Sequence, residues 1–167
     1  MRAGVLTVSD AVARGTREDG GGPAVRTALG ELCGAEIAAS AVLPDEPEEI
    51  QILLRRWCAE KLDLVVVTGG TGVSPRDRTP EAVRAILDIE VPGLAERMRA
   101  ETGAAFPAAY LSRAVAGVRG STLILALPGS PRGAVDCLKA VAGLIPHALS
   151  VVRGEAIHPA HPPAAGG

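Results

Sequence analysis

Two short runs hold most of the chemistry this chain can offer. One is Thr68-Gly69-Gly70-Thr71-Gly72-Val73-Ser74-Pro75-Arg76-Asp77, the other Pro128-Gly129-Ser130-Pro131. Glycines let backbone amides approach an anion closely, and several in succession can form a concave nest of N–H donors. A helix beginning at Thr79 adds unpaired N–H groups of its own. No Gly-Lys-Ser/Thr follows, so the run is not a P-loop, and it is not a GxGxxG dinucleotide signature. A single glycine turn is usually only a turn. Joined to Thr71, Ser74 and Asp77, this one points to phosphate or pterin binding.

The carboxylates need the same weighing. Asp10, Asp45 and Asp77 each follow an apolar β-type run, and Asp19 precedes three glycines. Any one of them alone is more often a cap or a turn residue. Several at one edge, facing a glycine loop, suit a hard divalent cation, because Mg²⁺ takes one or two carboxylates plus phosphate oxygens and water. The loops contain no lysine, leaving Arg76, Arg78 and Arg113 as candidate cationic contacts. Thr68, Ser74, Ser112 and Ser121 are hydroxyls near strand ends. His158 and His161 lie in a proline-rich tail without a third ligand, so a metal site there is the minority reading. Arg97 and Arg99 read as a solvated helix face.

These residues need a frame that brings their loops together. Apolar runs at 3–8, 37–43, 64–68 and 121–127 read as strands. Between them lie helices from Pro23 to Cys33, with Val25, Leu29 and Leu32 on one face, and from Pro47, with Ile50, Leu53, Leu54, Trp57 and Cys58. Thr79 is expected as the N-cap of a third helix, with Pro80 at its first position. Pro92 opens a helix ending near Gly103. Ser130-Pro131 caps another, which carries Val135, Leu138 and Ala142, and Pro146 kinks or restarts it. The stretch 110–120 is undetermined, a short edge hairpin being one option. Strand–helix alternation predicts a three-layer, doubly wound α/β fold: a mostly parallel sheet with helices on both faces. Ligands bind such sheets outside the carboxyl ends of the strands, which is where these loops fall. Residues 1–156 form the expected domain, and 157–167 an extended or disordered tail.

Composition sets outer limits. The 167 residues suit one domain with a real core, and 47% of them are apolar. Lys+Arg number 17 against 19 Asp+Glu, so the electrostatic footprint of a nucleic-acid binder is missing. Aromatics are 2%, too few for base-stacking platforms. Cys33, Cys58 and Cys137 contain no CxxC pair and read as buried thiols. The sequence shows neither a signal-peptide pattern nor a membrane-length apolar run. A cytoplasmic protein is the expectation.

The chain resembles the molybdopterin adenylyltransferase family, which comprises bacterial stand-alone proteins and the G domain of two-domain enzymes such as gephyrin. The matching stretches are LTVSD at 6–10, LPDE at 43–46, TGGTGVSPRDRTPEA at 68–82, VPGL at 91–94, LSRAVAGVRGSTLILALPGSP at 111–131 and HPAH at 158–161. The resemblance implies a trimer that binds molybdopterin and Mg-ATP and transfers AMP to the pterin's terminal phosphate, releasing pyrophosphate. It assigns Asp45 and Asp77 as catalytic, metal-holding aspartates. Thr7, Ser9, Ser112 and Ser121 match positions around the pterin pocket, and Asp10, Asp19 and Arg113 are grouped with them as substrate contacts. Gly69, Gly70, Thr71, Gly72 and Ser74, with Pro128, Gly129 and Ser130, form the expected nucleotide and phosphate walls. Many relatives carry asparagine where Ser130 stands; serine can still cap a helix and donate to phosphate. The molybdenum-insertion enzyme is the expected partner. The rival readings are a paralogue that carries molybdopterin without turnover, and a scaffold.

Overall fold

A computed structural model describes residues 1–155. The expected tail at 157–167 and its two histidines lie outside the described residues. Six strands form one sheet: β1 Arg2–Val8, β2 Glu36–Leu43, β3 Leu64–Thr68, β4 Ile89–Glu90, β5 Val115–Arg119 and β6 Thr122–Leu127. Their order is β2-β1-β3-β6-β5-β4. The first four strands of that order run parallel, while β5 pairs antiparallel with both β6 and β4. The undetermined stretch therefore contains β5, which forms a hairpin with β6 and is covered at the sheet edge by the short β4; a 3-10 turn at Pro107–Leu111 precedes it.

The central strand β3 is Leu-Val-Val-Val-Thr and is buried throughout. Such uninterrupted β-branched runs belong where helices cover both faces of a parallel sheet. On one face pack α2 Gly21–Cys33, α5 Pro92–Gly103, α6 Pro131–Ala142 and α7 Ile145–Val152, burying Val25, Leu29, Met98, Leu138 and Ile145. On the other lie α3 Pro47–Ala59 and α4 Thr79–Arg84, burying Ile50, Leu54, Trp57, Val83 and Ile86. The three-layer expectation holds.

Several local expectations are corrected. Helix α2 begins at Gly21, two residues before Pro23, and Leu32 is 41% exposed, so it lies off the buried stripe. A four-residue helix, α1 Asp10–Ala13, follows β1 where a loop was expected; Ser9 caps it by accepting the Val12 N–H at 3.4 Å. Thr79 is not an N-cap. It is the first residue of α4, fully buried, and Arg78 occupies the cap position without a side-chain bond. Pro80 sits one position later than expected, still inside the first turn, where a missing N–H costs nothing. Strand β4 is two residues long and had no pattern to announce it.

Register decides what the strands present together. Thr7 pairs with Val42 on one side and Thr68 on the other, and Thr68 pairs with Leu127. The carboxyl ends of β1, β2, β3 and β6 are thus level, and the loops after them open on one edge of the sheet.

Candidate active site

A cleft of about 1490 Å³ lies over that edge. This exceeds the ~300–1,000 Å³ of a pocket for one drug-sized ligand. Its floor is the glycine loop. Gly69 has φ +108° and Gly70 φ +63°, conformations that L side chains rarely adopt. At Gly69 a Cβ would lie 2.1 Å from the Val8 carbonyl oxygen, so the loop lies directly on the end of β1.

The two candidate catalytic carboxylates rest on this loop. A Cβ on Gly70 would meet Asp45 Oδ1 at 2.7 Å and Thr79 Oγ1 at 2.3 Å; one on Gly72 would meet Asp77 Oδ2 at 2.8 Å. Glycines two residues apart therefore each seat one carboxylate. Asp45 and Asp10 are locked reciprocally: the Asp10 N–H donates to Asp45 Oδ2 and the Asp45 N–H to Asp10 Oδ1, both at 3.1 Å. Asp77 Oδ2 accepts the Ser74 N–H at 2.8 Å. Burial raises the Asp45 carboxyl above its usual range; the Asp10 N–H opposes this, while the Asp10 and Asp77 charges reinforce it. Asp10 goes the other way, lowered mainly by its hydrogen bonds from the exposed Arg76 guanidinium, which also pairs with Glu46.

The remaining walls are helix starts and hydroxyls. Asp19 accepts the Gly22 N–H at 2.9 Å and the Thr7 hydroxyl at 2.8 Å, bracing the first turn of α2 against β1. Gly20 and Gly21, ahead of that brace, border the cleft, as do Pro128, Gly129 and Ser130. Ser130 caps α6 by accepting the Gly133 N–H at 3.3 Å. Thr68 donates to the Pro128 carbonyl at 2.7 Å, tying the two loops together. Ser9 accepts from Arg17 at 2.8 Å, and Ser112 Oγ lies 3.5 Å from Thr71 Oγ1.

Of the residues singled out in the sequence, Thr7, Ser9, Asp19, Asp45, Gly69, Gly70, Thr71, Gly72, Asp77, Ser112, Pro128, Gly129 and Ser130 line the cleft. Asp10, Ser74 and Arg113 stand behind it, holding residues that do. Ser121 is a correction. It is exposed in the turn between β5 and β6, at the amino end of β6, away from the edge where the cleft opens. The family resemblance suggested the site, but Ser121 sits at the wrong end of its strand.

The cationic contacts also change. Arg76 is held by Asp10 and Glu46, and Arg113 by Glu81 and backbone carbonyls. The cations bordering the cleft are Arg17, Arg97, Arg132 and Lys139. Arg132, Asp136 and Lys139 recur at i, i+4 and i+7 on α6, a spacing that could have exposed this face. Arg97 and Arg99 are not merely solvated: Arg97 donates to the Ala140 carbonyl at 2.7 Å, and Arg99 to the Ala114 carbonyl at 3.2 Å. Cys137 borders the cleft, but burial pushes its thiol up to about 11, so it is no thiolate nucleophile at neutral pH.

The residues present fit a magnesium ion shared with phosphates. Among the described residues no three His, Cys, Asp or Glu side chains cluster as a metal cage. Two carboxylates beside exposed amides is the donor set Mg²⁺ takes when phosphate oxygens and water complete its shell. The glycine α-carbons that seat those carboxylates leave no room for a side chain between them and the loop.

Comparison with known proteins agrees with this geometry. The model of a family described as "probable molybdopterin binding domain" matches residues 4–147. Molybdopterin adenylyltransferase of Helicobacter pylori is 39% identical over 156 residues, covering 92% of this chain and 89% of that protein. The molybdenum cofactor synthesis protein cinnamon of Drosophila melanogaster is 39% identical over 150 residues, of which this chain spans 25% of the length. The crystal structure of the molybdopterin biosynthesis enzyme MoaB from Thermus thermophilus superposes with a TM-score of 0.87 at 55% identity, covering 92% of this chain and 96% of that one.

Proposed function

Since this chain belongs to the molybdopterin-binding family of molybdenum cofactor biosynthesis, we propose that it is a molybdopterin adenylyltransferase. It takes AMP from ATP onto the terminal phosphate of molybdopterin. A pterin phosphate oxygen attacks the α-phosphorus of ATP, the bond from that phosphorus to the bridging oxygen breaks, and pyrophosphate leaves. The observation that carries this reading is the pair of carboxylates, Asp45 and Asp77, seated on Gly70 and Gly72 at the floor of a cleft large enough for two ligands.

Such a transfer asks little covalent chemistry of the protein. It needs two anions held in line and their charge neutralised. The loop amides and the starts of α2 and α6 hold phosphate oxygens. Ser9 and Ser112 supply hydroxyls to the pterin side and Thr71 to the phosphate side, and Arg17, Arg132 and Lys139 offset phosphate charge around the rim. Asp45 and Asp77 would hold Mg²⁺, which when bound neutralises phosphate charge and orients the leaving group. Asp10, locked to Asp45 and to Arg76, keeps Asp45 aimed.

Purified protein supplied with molybdopterin, ATP and Mg²⁺ should yield adenylylated pterin and pyrophosphate. Asp45→Asn or Asp77→Asn should reduce turnover by ~10²-fold or more, the scale of losing one preorganised electrostatic group, with pterin affinity retained. A protein that binds the pterin and releases no pyrophosphate is instead a carrier. We place the activity in the cytoplasm, in a homotrimer that hands its product to a molybdenum-inserting enzyme.

A further inference from the structure

Arg113 lies just before β5 and approaches the glycine loop from behind the cleft. Its backbone N–H donates to the Thr71 carbonyl at 2.8 Å. Its Nε donates to the Gly72 carbonyl at 2.7 Å, its Nη2 to the Asp77 carbonyl and its Nη1 to Glu81 Oε1. One guanidinium thus grips both ends of the 72–77 turn and the first turn of α4. That turn carries Asp77, whose carboxylate rests on Gly72. The residue before Arg113 is Ser112, which borders the cleft beside Thr71. Arg113 does not border the cleft itself.

We propose that Arg113 is a positioning residue: it fixes the distance between Asp77, on the metal side of the cleft, and Ser112, on the pterin side, and touches neither substrate. The proposal rests on the adenylyltransferase reading and replaces the expectation that Arg113 binds substrate. Only a guanidinium fills the role. Its donors diverge in a rigid plane and reach three acceptors at once, whereas a lysine ammonium is a point on a flexible stem.

Arg113→Lys is the informative variant, because it keeps a cation beside the Glu81 carboxylate and so avoids stranding that charge. The amides of Ser74, Arg76 and Asp77, which are hydrogen-bonded within the turn, should exchange with solvent ~10-fold faster or more while the melting temperature stays near wild type, since a local opening has been freed. In turnover, kcat should fall ~10-fold or more, the usual scale of misplaced catalytic groups, with KM for ATP and pterin affinity essentially unchanged. Arg113→Ala, the second variant, should recover part of its kcat when guanidinium ion is added at non-denaturing concentration. Weakened ATP or pterin binding at unchanged kcat would make Arg113 a direct substrate contact and overturn the proposal. Unaltered exchange at Ser74, Arg76 and Asp77 would overturn it as well. If the wild-type protein transfers no AMP, the proposed function fails, yet the exchange measurement still decides whether Arg113 holds the turn.

Discussion

At the scale of single residues, the site holds one carboxylate, Asp45, against its own preference. Asp45 is 8% exposed and its neighbours include two other carboxylates, so its charged form is disfavoured. A carboxyl raised in the folded state stabilises the fold below the unfolded value of ~3.9 and loses that contribution as pH rises through the folded value. Asp45→Asn should therefore raise the melting temperature at pH 7, and the gain should shrink as the pH is brought to 4, while the asparagine oxygen still accepts the Asp10 N–H. Parallel melts at the two pH values test it; equal gains would remove the electrostatic cause. Thr79 shows a different tension. Its hydroxyl is buried without a hydrogen-bond partner. Valine has the same shape without the polar atom, so Thr79→Val should be neutral or stabilise by ~1 kcal/mol. Denaturant unfolding reads the sign, and a loss above that size would show that the hydroxyl has a partner in solution.

At the scale of elements, the glycine loop leaves little room for replacement. Gly69 combines φ +108° with a Cβ position 2.1 Å from the Val8 carbonyl, and that carbonyl belongs to a strand paired on both sides. Gly69→Ala should destabilise the fold by ~2–5 kcal/mol, strain and overpacking together. Gly143, at the end of α6, has φ −66° and open space around its α-carbon. Gly143→Ala should instead be neutral or slightly stabilising, by ~0.4–1 kcal/mol, because it restricts the unfolded chain. Chemical denaturation of the pair separates a glycine required by geometry from one that is not.

For the whole molecule, the surface around the 3-10 turn carries the argument. Phe106, Tyr110 and Leu111 are each more than 60% exposed, and Ile89 at the sheet edge is 63% exposed. Phe106, Tyr110 and Leu111 lie close together in the chain, with Phe106 and Leu111 at the rim of the cleft, and apolar exposure concentrated in this way marks an interaction surface. We expect the protein in solution to have about three times its chain mass of 17.0 kDa. Light scattering at working concentration checks this, and a stable monomer would count against it.

The sequence by itself determined the layers and the loops that matter. Strand–helix alternation, the β-branched run at 64–68 and the glycine loop are local signals, and each acts within a few residues of itself. The pairing of Asp45 with Asp77 was legible because both follow parallel strands, whose carboxyl ends such folds bring together. Tertiary structure alone decided the rest. Ser121 is a separate case: it opens the 121–127 run, so the chain direction already puts it at the amino end of that strand, opposite the carboxyl ends where the loops gather. Arg76 and Arg113 look like free cations in a loop; both are held by partners 30 to 66 residues away, and no local pattern encodes that. The rim cations come from α5, α6 and the turn before α2, elements that meet only after folding. Residue type and spacing thus identify which groups could do chemistry, and long-range contacts decide which of them face the cleft and which hold the others in place.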